Sequence, residues 1–124
     1  MFDRNKDNKK KNKEAVIVNG KTWTKESLKD LLKRNDKAVY RAILLLYSFQ
    51  TDEEKYFENV QTVNGKGFNK FDVELLSSYA RQIKNDRELT ERQMYSARPK
   101  ILKYVGQILN YMREREEQKL TLQN

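Results

Sequence analysis

The feature that most constrains the fold is the stretch from Asp36 to Ser48, in which apolar side chains would cover most of a helix. It contains no Pro or Gly, and Asp is a residue type that caps helix N-termini. At 3.6 residues per turn, five side chains share one arc and three more widen it: Val39, Tyr40, Ile43, Leu46 and Tyr47, then Leu44, Leu45 and Phe49. A helix that is apolar on most sides must be covered by neighbours, which predicts a central helix in a compact helical domain.

Capping residues indicate further helices on both sides of this stretch. Three capping residues, Thr24, Thr51 and Asn69, predict helices over 24–34, 51–59 and 69–85. The longest helical stretch, over 91–118, opens with a capping box in which Thr90 is followed three residues later by Gln93. Pro99 removes a backbone donor from that stretch, so we expect a kink or break between Ala97 and Lys100.

A small β-hairpin is predicted before the helices. Two β-rich runs within residues 16–23 flank Asn19-Gly20, a pair that accepts the positive φ angles of a tight type I′ turn. Residues 1–14 are rich in Lys, Asn and Asp and are predicted to be a flexible basic tail. The fold class is therefore mainly α, with four to five helices in a single domain over 15–119 and a flexible C-terminus over 120–124.

The composition excludes several classes of chemistry. The chain has no His and no Cys, which rules out Ser-His-Asp and Cys-His nucleophile pairs, zinc fingers and disulfides. The one acidic cluster, Asp52-Glu53-Glu54, is explained by the start of the predicted helix over 51–59. We therefore expect no catalytic residues, no metal site, no cofactor and no enzymatic activity.

The net charge of +8 favours a polyanionic partner, usually nucleic acid, although a basic surplus can also serve only solubility. No segment approaches the length of about 18 apolar residues that spans a bilayer. Residues 1–6 become charged at once, without the apolar region of a signal segment. We expect a cytoplasmic protein that is not bound to a membrane; the sequence does not fix its oligomeric state.

The predicted binding residues follow Pro99. A stripe at helical spacing borders the core-facing side of the last helix, with one cation beside it and one before it: Lys100, Tyr104, Gln107 and Tyr111, with Lys103 and Arg98. Aromatic rings among cations suit single-stranded nucleic acid, because rings stack on bases while cations bind phosphates. The alternative is structural, since a Tyr at a core boundary commonly buries its ring and leaves its hydroxyl in water.

One carboxylate is unusually placed. Asp72 falls on the same arc as the core-facing residues Leu75, Leu76, Tyr79 and Ile83. A charge there is costly unless it is paired or hydrogen-bonded. Counted from a cap at Asn69, Asp72 is the third helical residue, where an acid can accept from free backbone N–H groups. We therefore predict a helix-start role for Asp72.

Three spaced groups of residues form a recognisable pattern: Gly65-Lys66-Gly67-Phe68-Asn69 with Asp72, Leu89-Thr90 with Gln93, and Lys103-Tyr104 with Gln107. This pattern resembles a module of small phage and mobile-element proteins that is also attached to helicase-like and recombination proteins. The resemblance implies a setting near DNA metabolism, and it carries over Arg98, Lys103, Tyr104 and Gln107 as functional positions. Pro99 departs from the pattern, in which a helix-compatible residue is usual.

Two functions are compatible with these observations. The first is a small phage-type accessory protein of replication or recombination that binds DNA, either single strands or forks. The second is a protein-binding inhibitor of a host defence nucleoprotein complex, similar in action to an anti-CRISPR protein. Because a chain of charge +8 is a poor mimic of DNA, that inhibitor would bind an acidic or apolar surface of its target protein through Tyr104, Tyr111 and Phe68.

Overall fold

Two strands and five helices follow one another in the part of the chain that the computed structural model describes, residues 15–56 and 66–123. The elements, in chain order, are β1 (Val16–Val18), β2 (Lys21–Trp23), α1 (Lys25–Arg34), α2 (Asp36–Tyr56), α3 (Val73–Lys84), α4 (Glu91–Leu102) and α5 (Val105–Gln123). The predicted fold class, mainly helical with a small hairpin, is confirmed. The predicted tail, residues 1–14, lies outside the described residues.

The hairpin has the predicted turn. β1 and β2 pair antiparallel, with Val16 opposite Trp23 and Val18 opposite Lys21. Asn19 and Gly20 join them at φ angles of 52° and 81°. Two successive residues with positive φ are the mark of a type I′ turn, which matches the twist of the strands. β1 packs on α5, so the hairpin is anchored to the last helix.

The central helix is α2, as its apolar circumference predicts. Val39, Ile43 and Leu46 have no exposed surface, and α1, α3 and α4 all pack against α2. Asn35, rather than Asp36, caps this helix, because its Oδ1 accepts from the Ala38 N–H at 3.0 Å. Asp36 is left free to pair with another element.

The predicted separate helix starting at Thr51 is wrong, because α2 runs without interruption to Tyr56. No Gly or Pro lies between residues 48 and 51 to end the helix. Ser48 does not interrupt it either, since its hydroxyl donates to the Leu45 carbonyl at 2.6 Å within the helix.

The predicted break at Pro99 is also wrong in its position. α4 continues through Pro99 to Leu102, and the interruption comes at Lys103 and Tyr104. Pro99 is solvent-exposed, so the carbonyl that loses its helical partner faces the wet side of α4. At the junction Lys103 and Tyr104 bond back three residues, to the carbonyls of Lys100 and Ile101, which tightens the last turn. α5 then runs to Gln123, beyond the predicted domain end at 119.

Asp86 ends α3 in a left-handed conformation, with φ 60°. Its carboxylate also lies at the negative end of the helix dipole. Asp86→Gly is therefore expected to stabilise the protein by about 0.5 kcal/mol, because Gly adopts positive φ without steric cost. Urea denaturation would measure the change, with Asp86→Ala as the comparison that should destabilise. Equal stabilities of the Gly and Ala variants would contradict a role for the positive φ angle.

Within residues 15–56 and 66–123, no helix combines the length and the apolar character needed to cross a membrane.

Candidate nucleic-acid interface

The six predicted binding residues do not form one surface stripe. Gln107 binds the backbone of the segment that leads into α3. Its Oε1 accepts from the Gly67 N–H at 2.7 Å, and its Nε2 donates to the Gly67 carbonyl at 3.1 Å. The amide thus satisfies both polar groups of one backbone residue, and its first role is to fix residue 67 against α5.

Tyr104 lies in the core, with 5% of its surface exposed. Its hydroxyl donates to Oδ2 of Asp72 at 2.6 Å and accepts from the Asn69 N–H at 3.1 Å. Its ring meets that of Phe68 edge-on, with centroids 6.0 Å apart. The predicted stacking of Tyr104 on a base is therefore wrong, because the ring is covered by protein. Its hydroxyl is hydrogen-bonded inside the fold, so the alternative of a wet hydroxyl is corrected too.

Asp72 is the centre of this cluster. It is 3% exposed, and its Oδ2 also lies 2.8 Å from the Lys103 amine. It makes no side-chain cap on α3, so the predicted helix-start role is wrong. Asn69 performs that role instead, since its Oδ1 accepts from the N–H groups of Phe71 and Asp72, both at 2.9 Å.

The charges around Asp72 keep it ionised. Burial raises the pKa of its carboxyl, but hydrogen bonds from Lys103 and Tyr104 and the charges of Lys103 and Lys100 outweigh burial and lower the pKa below its usual value. The same contact acts oppositely on the phenol: burial, and then the bond to the Asp72 carboxylate, raise the pKa of Tyr104. Both groups therefore hold one protonation state at neutral pH.

The lowered pKa of Asp72 predicts how its contribution depends on pH. Because the folded pKa lies below the unfolded one, the stabilisation is complete above the unfolded pKa of about 3.9 and is lost as pH falls through the folded pKa. Asp72→Asn is expected to cost about 2 kcal/mol at neutral pH. That difference should shrink near pH 3, as measured by urea denaturation at both pH values.

Asp30→Asn is the matched control, because Asp30 pairs with Arg34 on the surface and its side chain is 62% exposed. It should change stability by less than about 0.5 kcal/mol at either pH. A loss of stability for Asp72→Asn that is equal at both pH values would contradict an ionised Asp72.

The other predicted residues serve different places in the fold. Arg98 joins α4 to the last turn of α1 and the first residue of α2, since its Nε donates to the Leu32 carbonyl at 2.9 Å and its guanidinium pairs with Asp36. Tyr111 packs against Phe49, with ring centroids 5.5 Å apart. Lys100 has no ion-pair partner among the described residues, although its charge reaches Asp72.

The pattern on which the family resemblance rests is also explained by contacts inside the fold. Gly67 has φ 87°, and a Cβ there would lie 2.8 Å from Oε1 of Gln50. Thr90 and Gln93 form the predicted capping box, and the Gln93 amide exchanges hydrogen bonds with Gln82. These residues are required by the fold, whatever the protein binds.

Outside this cluster, an exposed aromatic ring is a feature that was not predicted from the sequence. Phe71 precedes Asp72 in the turn that opens α3, and 84% of its surface is exposed. Lys70 is exposed beside it in sequence, and Lys103 reaches Asp72 from the α4–α5 junction with 51% of its side chain exposed. We call Lys70, Phe71, Lys100 and Lys103 the Phe71 surface. It keeps two of the predicted cations and replaces the buried Tyr104 with a different ring.

No family model, curated protein or solved structure matches this chain. Its function is therefore inferred from its own contacts and charges.

A second ring is just as exposed but lies among carboxylates. Tyr95 on α4 is also 84% exposed, and it borders a groove lined by Asp36, Glu88 and Glu91 together with Arg98, which pairs with Asp36. The charges of Glu88 and Glu91 remain and would repel phosphates there. Among the described residues, no group of three or more acidic side chains is arranged to hold a metal ion. Of these two rings of 84% exposure, Phe71 is thus the one with the more positive surroundings.

Proposed function

We propose that the protein binds single-stranded DNA through the Phe71 surface, as a small accessory protein of replication or recombination. The observation that carries this proposal is the 84% exposure of the Phe71 ring, between Lys70 and Asp72 in the sequence. The charges of Lys100 and Lys103 reach that Asp72 carboxylate. The setting in a bacterial host cell, with a phage or mobile element as its source, is part of the proposal and is supported by the resemblance of the residue pattern.

The charges of the Phe71 surface suit a nucleic acid. Asp72 and Lys103 neutralise each other, so the positive charge comes from Lys70 and Lys100 and is opposed by the exposed Glu74 in the first turn of α3. Neither of these two lysines has a carboxylate partner among the described ion pairs. Their amines are available to phosphates, while the exposed ring can stack on a base, which contributes about 1–3 kcal/mol for each base stacked.

The cations are tested by the salt dependence of binding. Fluorescence anisotropy of a labelled single strand would be titrated with the protein at salt from about 50 to about 200 mM. The double variant Lys70→Gln, Lys100→Gln is expected to weaken binding at low salt. It should also reduce the log–log salt slope by about 0.7 for each phosphate that is no longer neutralised. Duplex DNA of the same sequence should bind more weakly, since its bases are already stacked.

The matched control is Lys29→Gln with Lys33→Gln on α1, which removes the same net charge from exposed positions outside the Phe71 surface. It should leave the salt slope unchanged. An equal reduction of slope in both double variants would show that only net charge matters and would refute the Phe71 surface as the site. Absence of binding at the lowest salt would refute the proposed function itself.

The second candidate function, inhibition of a nucleoprotein complex by protein binding, loses part of the contact surface that was predicted for it. The inhibitor hypothesis used Phe68, Tyr104 and Tyr111, but Phe68 has no exposed surface and Tyr104 is 5% exposed. These two rings are therefore unavailable to a protein partner. A partner would need a different apolar surface, and the fold has one on the side of α1.

A further inference from the structure

An apolar groove of about 430 Å³ lies between α1, α2 and α5. Its floor consists of buried residues, including Leu28 and Leu32 of α1. Its walls are half-buried apolar side chains from four elements: Trp23, Leu31, Ala38, Leu45 and Met112. Half-buried apolar groups on facing helices form a concave apolar surface. Exposing such a surface to water is unfavourable, which is typical of an interaction site.

The charges at the rim of this groove are all positive. Arg41 on α2 and Arg115 on α5 line it and are exposed. No carboxylate belongs to the described residues that line the groove. Arg41 has no ion-pair or hydrogen-bond partner among the described contacts, and Arg115 contacts only the phenol of Tyr111. An apolar groove edged by unpaired cations is complementary to an apolar ligand that carries negative charge.

The dimensions of the groove match a short helix. Along α2 the lining runs from Ala38 to Leu45, and along α5 from Ile108 to Arg115. Each stretch spans eight residues, whose first and last Cα atoms are about 10 Å apart along the helix axis, or about two turns. A helix placed between these walls would insert apolar side chains one turn apart and bring its flanking residues to Arg41 and Arg115. This is the helix-in-groove mode of recognition.

A base is a poorer fit for the same groove. The Lys21 amine lies 4.2 Å from the centroid of the Trp23 ring and covers one of its faces. The remaining wall residues are aliphatic or Met, which offer no aromatic plane for stacking. The groove is therefore distinct in chemistry from the Phe71 surface.

We propose that this groove binds a short amphipathic helix of a partner protein, with its apolar face on Leu31, Leu45 and Met112 and its acidic residues paired with Arg41 and Arg115. The proposal does not depend on DNA binding. It would allow the protein to contact a partner protein and a nucleic acid at the same time.

Trp23 provides the readout, because it is the one tryptophan of the chain and lines the groove. The full-length protein would be titrated with a synthetic helical peptide that carries leucines one turn apart and flanking glutamates. A second peptide would carry lysines instead of the glutamates. A saturable change in Trp23 emission is expected with the glutamate peptide, with affinity about tenfold above that of the lysine peptide, since two exposed ion pairs are formed.

Charge reversal tests the rim. The double variant Arg41→Glu, Arg115→Glu is expected to reverse this preference, so that the lysine peptide binds more tightly. The matched control, Lys29→Glu with Lys33→Glu, changes the same amount of charge at exposed positions of α1 outside the lining and should retain the original preference. Circular dichroism would establish that both double variants are folded.

Three outcomes would overturn the proposal. One is failure of both peptides to alter Trp23 emission, and another is equal binding of both peptides by the unmodified protein. The third is a change of Trp23 emission caused instead by a single-stranded oligonucleotide or by dilution, which would assign the groove to nucleic acid or to a second copy of the chain. Loss of DNA binding in the Lys70 and Lys100 variants would not affect any of these results.

Discussion

Replacing Phe71 with Ala is expected to lower the affinity for single-stranded DNA by about tenfold or more and to leave the stability of the fold unchanged. A stacked base contributes about 1–3 kcal/mol, and about 1.4 kcal/mol corresponds to a tenfold change in affinity. The ring is 84% exposed, so its removal creates no cavity. Anisotropy titrations at low salt would measure the affinity, and urea denaturation the stability.

Three control variants separate stacking from general effects of an exposed ring. Phe71→Trp should retain binding, whereas Phe71→Leu should behave like the Ala variant, because Leu is apolar but has no aromatic plane. Tyr95→Ala removes a ring of the same 84% exposure from an acidic setting and should not alter affinity. Equal reductions of affinity for the Phe71 and Tyr95 variants would refute stacking at Phe71.

Tyr104→Phe is expected to lower the free energy of unfolding by about 2–4 kcal/mol, although it removes a single oxygen atom. The hydroxyl donates to the buried Asp72 carboxylate and accepts from the Asn69 N–H, so its removal leaves two polar groups without these bonds. Hydrogen bonds to charged groups contribute about 1.5–3 kcal/mol, and an unsatisfied buried donor adds a further cost. Urea denaturation at neutral pH would measure the change.

Tyr95→Phe makes the same chemical change at an exposed ring and should alter stability by less than about 0.5 kcal/mol. The Tyr104 variant should also bind DNA more weakly than its folded fraction explains, because the Tyr104 hydroxyl helps to hold Asp72, the partner of Lys103 in the Phe71 surface. A Tyr104→Phe protein as stable as the unmodified chain would show that the hydroxyl does not hold the segment before α3.

Features encoded by neighbouring residues could be predicted from the sequence. The type I′ hairpin at Asn19-Gly20 and the capping box at Thr90 depend on residues no more than a few positions apart, and both are present. The central position of α2 follows from its apolar circumference alone. The continuity of α2 through Thr51 could not be predicted in this way, because a residue type that caps helices is also tolerated inside one.

Features that depend on distant residues could not be predicted. Asp72 has a plausible local role at the start of α3, and only the fold brings Tyr104 to it from 32 residues away. Phe68 and Phe71 look equivalent in the sequence, yet Phe68 is fully buried and Phe71 is 84% exposed. The turn that Asn69 initiates directs them apart, and which ring is covered depends on where the α4–α5 junction packs.

The hydrogen bonds between the segment before α3 and the α4–α5 junction limit how the sequence can change during evolution. Gly67, Asn69 and Asp72 are joined to Tyr104 and Gln107 by hydrogen bonds, so each residue is useful only while its partner is present. Descendants of this chain should therefore keep these five residues together or lose them together. Lys70 and Phe71 lie between these residues in the sequence, but their side chains take no part in these hydrogen bonds. Substitutions at these two positions can therefore be selected by the binding partner alone.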